Sequence, residues 1–138
     1  MSELVRFGVS IEEPLVADFD RVIAEKGYAS RSEAFRDLMR SYLVEADWTA
    51  LRGEQAATLT LVYNHEFHEI GDRLTDMQHS HQDLIVCTTH VHLTGHTCLE
   101  VIVMRGEAAK IRPVADRLIA TRGVQHGKLT MTTLGRKR

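Results

Sequence analysis

The spacing of hydrophobic residues changes period along the chain. Phe7, Val9 and Ile11 alternate with Arg6, Gly8 and Ser10, which predicts a strand with one apolar and one polar face. Helical spacing follows at once. Ser10-Ile-Glu-Glu13 has capping-box spacing, Pro14 fits a first turn, and Leu15, Val16, Phe19, Val22 and Ile23 form one stripe that Gly27 stops. A second capping box, Ser30-Arg-Ser-Glu33, opens a helix whose stripe is Ala34, Phe35, Leu38, Met39, Tyr42 and Leu43. From about 45 to 55 no period is sustained, which reads as a helix tail and linker. The stretch is not rich in Gly or Ser, so limited hinge motion is expected, with Trp48 packing against one of the modules.

The second half has its own order. Thr58 to Tyr63 is β-rich, and Phe67, Ile70, Leu74 and Met77 form a helical stripe. Asp83 to Leu93 and Thr97 to Met104 read as strands joined by a short turn around Gly95. Ile111, Val114, Ala115, Leu118 and Ile119 make a further helix closed by Arg122-Gly123, and Leu129 to Leu134 supply a last strand. The order β-α-β-β-α-β is the split ferredoxin-like arrangement, with helices on one face of an antiparallel sheet. Its other face is left bare, which invites oligomerisation. The predicted class is α+β: a βαα module over residues 1–50 and a βαββαβ module over residues 51–138.

A lone strand in the first module has no ladder partner, and about 45 residues is close to the lower limit for folding alone. A second copy, with two strands pairing antiparallel over four helices, resolves both problems. Dimerisation is expected.

Composition narrows the function. With 138 residues, 43% hydrophobic, 26% charged and a net charge of −2, the chain has room for one ordinary domain or two small ones. No apolar run reaches the roughly 20 residues that span a bilayer, and no signal-peptide core is seen, so a cytoplasmic protein without membrane partners is expected. Cys87 and Cys98 are the only cysteines, too few for a disulfide framework and consistent with a reducing compartment. The net charge does not advertise nucleic-acid binding. All eight histidines lie between residues 65 and 126, which separates the modules by chemistry.

His90 and His92, two apart in a predicted strand, project from one face, and the turn at Thr94-Gly95-His96 returns Cys98 towards them. Two imidazoles and a thiolate make a three-point grip for nickel, copper, cobalt or zinc. Ordinary strand histidines and a buried thiol would show the same spacing. Cys87, three residues before His90, points to the opposite face and reads as a core residue. Glu100 is placed either to hydrogen-bond a ligand imidazole or as an ordinary exposed strand carboxylate. His79 and His81 follow the helix, and either can complete a site, in its own chain or another. His65, His68, His96 and His126 read as surface or packing histidines. A metalloenzyme would need a general base and a substrate cleft, and no such constellation is visible, so neither enzyme activity nor a small-molecule substrate is expected.

The strand, the helix and the segment Arg31-Ser-Glu-Ala-Phe-Arg-Asp37 resemble a ribbon-helix-helix DNA-binding domain. The resemblance implies paired strands in the major groove of double-stranded DNA, with Arg6, Gly8 and Ser10 at the base-reading positions. Gly8 departs from the polar side chain usual there, so readout leans on Arg6 and Ser10. Ser30, Arg31 and Ser32 resemble the phosphate clamp at the start of the second helix. The second module is similar in order and length to ACT-type regulatory domains, although a small-molecule sensor would leave the metal donors without a purpose.

Gln78-His79, His90-Val91-His92, Cys98-Leu99-Glu100 and Arg122-Gly-Val-Gln-His-Gly127 together resemble the nickel-responsive ribbon-helix-helix repressors of the NikR type, over nearly the whole chain. That resemblance implies a homotetramer, a dimer of dimers, on a palindromic operator of nickel-uptake genes. It implies one Ni(2+) per subunit, held by His90, His92 and Cys98 of one chain and His79 of another, with Gln78 and Glu100 supporting them from behind. Three imidazoles and a thiolate in a plane suit d⁸ nickel(II), whereas zinc prefers tetrahedral closure; copper, zinc or cobalt sensing is the alternative. The family also implies a second, weaker cation at Glu33 and Asp37.

Overall fold

A computed structural model of the protein describes residues 3–67 and 69–135; His68 therefore lies outside the described residues. The chain divides into two compact units, Met1–Ser41 and Tyr42–Arg138.

In the first unit, residues 3–12 are exposed and form no regular element. The expected strand is absent because no second strand lies among the described residues of this unit to receive its ladder bonds. Its apolar positions stay in water in the single chain, with Phe7 71% and Val9 64% exposed. Helix α1 spans Glu13–Glu25 with Pro14 in its first turn. Ser10 does not cap it: the cap residue is Glu12, in extended conformation and without a side-chain bond, so the first capping box does not form. Ser10 falls short of the helix start. The second box does form ahead of α2 (Arg31–Thr49). There the Glu33 N–H donates to Ser30 Oγ at 3.3 Å, and the Ala29 N–H donates to Glu33 Oε2 at 3.3 Å. Phe19 stacks on Phe35 at 5.2 Å, joining the helical stripes.

The second unit holds β1 (Glu54–Asn64), α3 (Ile70–His79), β2 (Ile85–His92), β3 (Thr97–Glu107), α4 (Ala108–Ile119) and β4 (Val124–Thr132). The sheet order is β2-β3-β1-β4, with every pair antiparallel. This is the ferredoxin-like arrangement expected from element order. Leu59, Leu61 and Tyr63 of β1 and Ile102 and Met104 of β3 pack against Ile70, Leu74, Ile111 and Leu118. Trp48, from the last turns of α2, belongs to this core and donates its indole N–H to the Thr132 carbonyl at 2.8 Å.

Two strands start well upstream of where the hydrophobic pattern puts them. β1 begins at Glu54 rather than Thr58, and β4 begins at Val124 rather than Leu129. The segment from Gln125 to Lys128 is too polar to announce a strand, yet it pairs with β1. Gly127 is needed within it: a Cβ there would lie 2.6 Å from Ile119 Cγ1, so only glycine lets α4 sit this close to β4. Gly123, at φ +102°, takes the left-handed turn between them.

Cys87 is not in the core. It is exposed, and it pairs with Val103 on the sheet face opposite to the helices. Alternation was right about the face, but in a single chain that face has no cover.

Candidate metal centre

Strand register assembles the site. On β3, Cys98 is flanked by Tyr63 of β1 and His92 of β2, and two residues on Glu100 is flanked by Leu61 and His90. Directly paired residues project to the same side, so these side chains form one array at an end of the sheet. His65 lies two residues past Tyr63 and continues its row, its N–H held by the His96 carbonyl at 3.0 Å.

Among the described residues, His65, His92 and Cys98 form a group of donors whose ligand atoms all lie within 4.8 Å of one another. His65 Nδ1 is 3.3 Å and His92 Nδ1 3.5 Å from the sulfur. Cys98 is fully buried while both imidazoles are exposed, so an ion can arrive from solvent and meet the thiol at the bottom. Burial, followed by the charge of Glu100, raises the thiol pKa. Imidazole and thiolate are the donors that late first-row transition metals take, so this chemistry fits nickel as it fits zinc and copper.

His90 stands beside the cluster, its ring 5.0 Å from that of His92. Its Nδ1 faces Glu100 Oε1 at 3.2 Å and the Tyr63 hydroxyl at 3.2 Å. Glu100 is buried rather than an exposed strand carboxylate, at 6% exposure. It accepts from the Tyr63 O–H at 3.0 Å and, on its other oxygen, from the Gln78 amide at 3.2 Å. Gln78 in turn accepts from the Thr88 hydroxyl at 2.6 Å. A carboxylate facing Nδ1 favours the tautomer with its proton there, the one that would present the Nε2 lone pair to a metal. Burial, then Glu100, raises the Tyr63 pKa, so the phenol remains a donor.

The remaining predicted residues fall as follows. His79 ends α3, exposed, on a cavity of about 320 Å³ that Gln78, Thr88 and Glu100 also line; it is not part of its own chain's cluster. His81 Nε2 lies 3.3 Å from Arg117 Nη2, and His96 Nδ1 is 2.6 Å from Glu66 Oε1. His126 is exposed on β4, in register with Val62. His65, read from sequence as a surface or packing histidine, is exposed and also lies beside the thiol. Extending the alternation of β1 by one further step beyond Tyr63 would have found it.

In the first unit, Arg6, Gly8 and Ser10 are exposed on the extended segment. Arg31 makes a two-pronged ion pair with Asp20, at 2.8 and 2.6 Å, and Asp20's carboxyl is held below its usual pKa mainly by that hydrogen bond. Ser30 caps α2 and Ser32 is exposed. Glu33 accepts from the Ala29 N–H, and Asp37 accepts from Tyr28 at 2.8 Å and Arg40 at 3.1 Å.

Fold and donors together define the second unit as a ferredoxin-like metal-binding domain. Residues 56–132 match the family described as the NikR C terminal nickel binding domain, and residues 5–46 match the ribbon-helix-helix protein family of copG type. The chain belongs to the NikR family, one of transcriptional regulators and not of enzymes. A relative from Geobacter sp. (strain M21) is 53% identical over 135 residues, covering 98% of this chain and 97% of its own. Another, from Caldanaerobacter subterraneus subsp. tengcongensis, is 54% identical over 132 residues, covering 96% and 86%. A third, from Thermococcus onnurineus, is 49% identical over 135 residues, covering 98% of both. All three are named as nickel-responsive regulators. Among solved structures, an uncharacterized protein from Thermotoga maritima is similar in fold, with a TM-score of 0.52 at 13% identity, covering 59% of this chain and all of that one.

Proposed function

We propose that this protein is a nickel-dependent, sequence-specific DNA-binding regulator that represses nickel-uptake genes in the cytoplasm. Residues 1–50 bind DNA, and residues 51–138 bind metal and form the tetramer. The reading gives each subunit one Ni(2+), held by His90, His92 and Cys98 with the partner subunit's His79 closing the sphere. The observation that carries it is the placement of these three side chains on one sheet face, with Glu100 behind His90 leaving Nε2 free. When bound, nickel supplies a link between subunits, so occupancy favours the arrangement in which two DNA-binding dimers engage one operator.

The exposed apolar row of Phe7 and Val9 supports pairing of two chains into a ribbon, with Arg6 and Ser10 facing the bases and Gly8 allowing close approach. Ser30, Arg31 and Ser32 lie where phosphate contacts are expected at a helix start, and Arg31 would exchange Asp20 for the DNA backbone. A second, weaker cation is assigned to Glu33 and Asp37; it competes with Arg40 for Asp37.

A gel shift on the host's nickel-transporter promoter tests the reading, with nickel, copper, zinc and cobalt in separate lanes. A tight complex with nickel alone is expected. Equal retardation without metal, or with zinc alone, would overturn it.

A further inference from the structure

Arg31 does not stand free where phosphate contact is assigned to it. Its Nε donates to Asp20 Oδ1 at 2.8 Å and its Nη2 to Asp20 Oδ2 at 2.6 Å, a two-pronged bond between α1 and the first residue of α2. We propose that Asp20 is a built-in competitor of DNA phosphate for the Arg31 guanidinium, an autoinhibitory contact that weakens binding to every DNA sequence alike. The inference rests on the reading of Arg31 as a phosphate contact and adds what controls it.

The competition follows from the chemistry of the fork. The edge of a guanidinium that carries Nε–H and one Nη–H fits the paired oxygens of a carboxylate or of a phosphate, and one anion at a time takes both donors. Asp20 occupies that edge. The ion pairs of Arg21 along α1, with Asp18 at 3.6 Å and Glu25 at 3.4 Å, are single and longer, so Asp20 is not one more loose surface charge. The Arg31 hydrogen bond holds the Asp20 carboxyl below its usual pKa, so the competitor is ionised at neutral pH. Both side chains remain within reach of solvent, at 58% exposure for Arg31 and 41% for Asp20. An exposed pair of this kind is weak enough to open, which makes the contact a brake rather than a lock.

When a phosphate displaces Asp20, a carboxylate is left uncompensated beside the new anion. That cost is the same on an operator and on a random duplex, because phosphates carry no sequence. Base contacts by Arg6 and Ser10 offset it on the operator alone. Asp20 therefore leaves the ratio of specific to non-specific affinity intact while lowering the absolute grip. The protein is then not held on the large excess of unrelated DNA.

Fluorescence anisotropy with the full-length, nickel-loaded protein tests this, on the promoter duplex and on a random duplex of equal length. Asp20→Asn keeps the side-chain shape and removes the charge. Asp18→Asn removes a neighbouring charge from the same helix and serves as the control, with little change expected. An exposed ion pair contributes up to about fivefold per subunit, so Asp20→Asn should tighten a dimer on both duplexes by about 2- to 30-fold. The plot of log affinity against log salt should steepen by about 0.9 for each phosphate newly neutralised. Asp20→Ala should repeat both changes, and adding Arg31→Ala to Asp20→Asn should cancel them. Unchanged or weaker binding in Asp20→Asn and Asp20→Ala, an equal gain from Asp18→Asn, or a gain that survives in the double variant overturns the proposal. A gain confined to the promoter duplex overturns it too. Failure of the phosphate reading shows separately, as Arg31→Ala binding both duplexes as tightly as the parent.

Discussion

Replacing Tyr63 by Phe removes one oxygen and keeps the ring. That oxygen donates to Glu100 Oε1 at 3.0 Å and lies 3.2 Å from His90 Nδ1. Tyr63 and Glu100 are 1% and 6% exposed, so water is poorly placed to take over the bond. A hydrogen bond to a charged group is worth about 1.5–3 kcal/mol net, and no cavity of the size that makes an aromatic-to-Ala change cost about 3–5 kcal/mol is opened. Tyr63→Phe should therefore lower the unfolding free energy of the metal-free protein by about 1.5–3 kcal/mol in urea titration. Glu100 keeps its bonds to Gln78 and His90, so the imidazole is loosened rather than released. Nickel affinity should then fall by about 10–100-fold in a chelator competition, the usual consequence of losing a residue that orients a ligand. Since the phenol pKa is raised by burial and by Glu100, the stability difference should be constant across neutral pH. In a double-mutant cycle with Glu100→Gln the two changes should couple by about 0.5–3 kcal/mol. Strict additivity, or a Tyr63→Phe protein as stable and as tight for nickel as the parent, would refute the idea that this hydroxyl organises the site.

Cys98→Ala should abolish high-affinity nickel binding and metal-dependent operator binding while far-UV circular dichroism is retained; undiminished nickel affinity would remove Cys98 from the ligand set. Because burial and then Glu100 raise the thiol pKa, the metal-free protein carries the proton and binding must release it. Affinity in the parent should therefore climb with pH, by about tenfold per unit for that proton, and a flat profile from pH 6 to 8 would count against a thiolate ligand. Arg6→Ala should cost about 1–3 kcal/mol on the specific operator if Arg6 reads a base, whereas an equal loss on random DNA would make it a phosphate contact. Gly127→Ala places a Cβ 2.6 Å from Ile119 Cγ1 and should cost about 1–3 kcal/mol, partly recovered by Ile119→Ala; no change in thermal midpoint would mean that α4 moves freely.

How far the pattern reached depends on the range of the interaction. The stripes of α1, α2 and α4 and the second capping box were legible because helices are held by residues three and four apart. The strand at Phe7 was legible as a pattern but does not form, since a strand needs a neighbour and none lies among the described residues of its unit. β4 starts earlier than its hydrophobicity suggests, because Gln125 to Lys128 take their place from β1 rather than from burial. Cys87 was assigned to the right face, but whether that face is covered is not a local property.

The sequence by itself determined the two-module order, the ferredoxin-like element succession and the proximity of His90, His92 and Cys98, since all three lie on one hairpin. Only the tertiary structure decided which donors touch. It brought Tyr63 to Glu100 and His65 to Cys98 across separations of 37 and 33 residues. The physical reason is register: pairing of β1 with β3 sets one row of side chains against the other, and no spacing within either strand states which residues will meet.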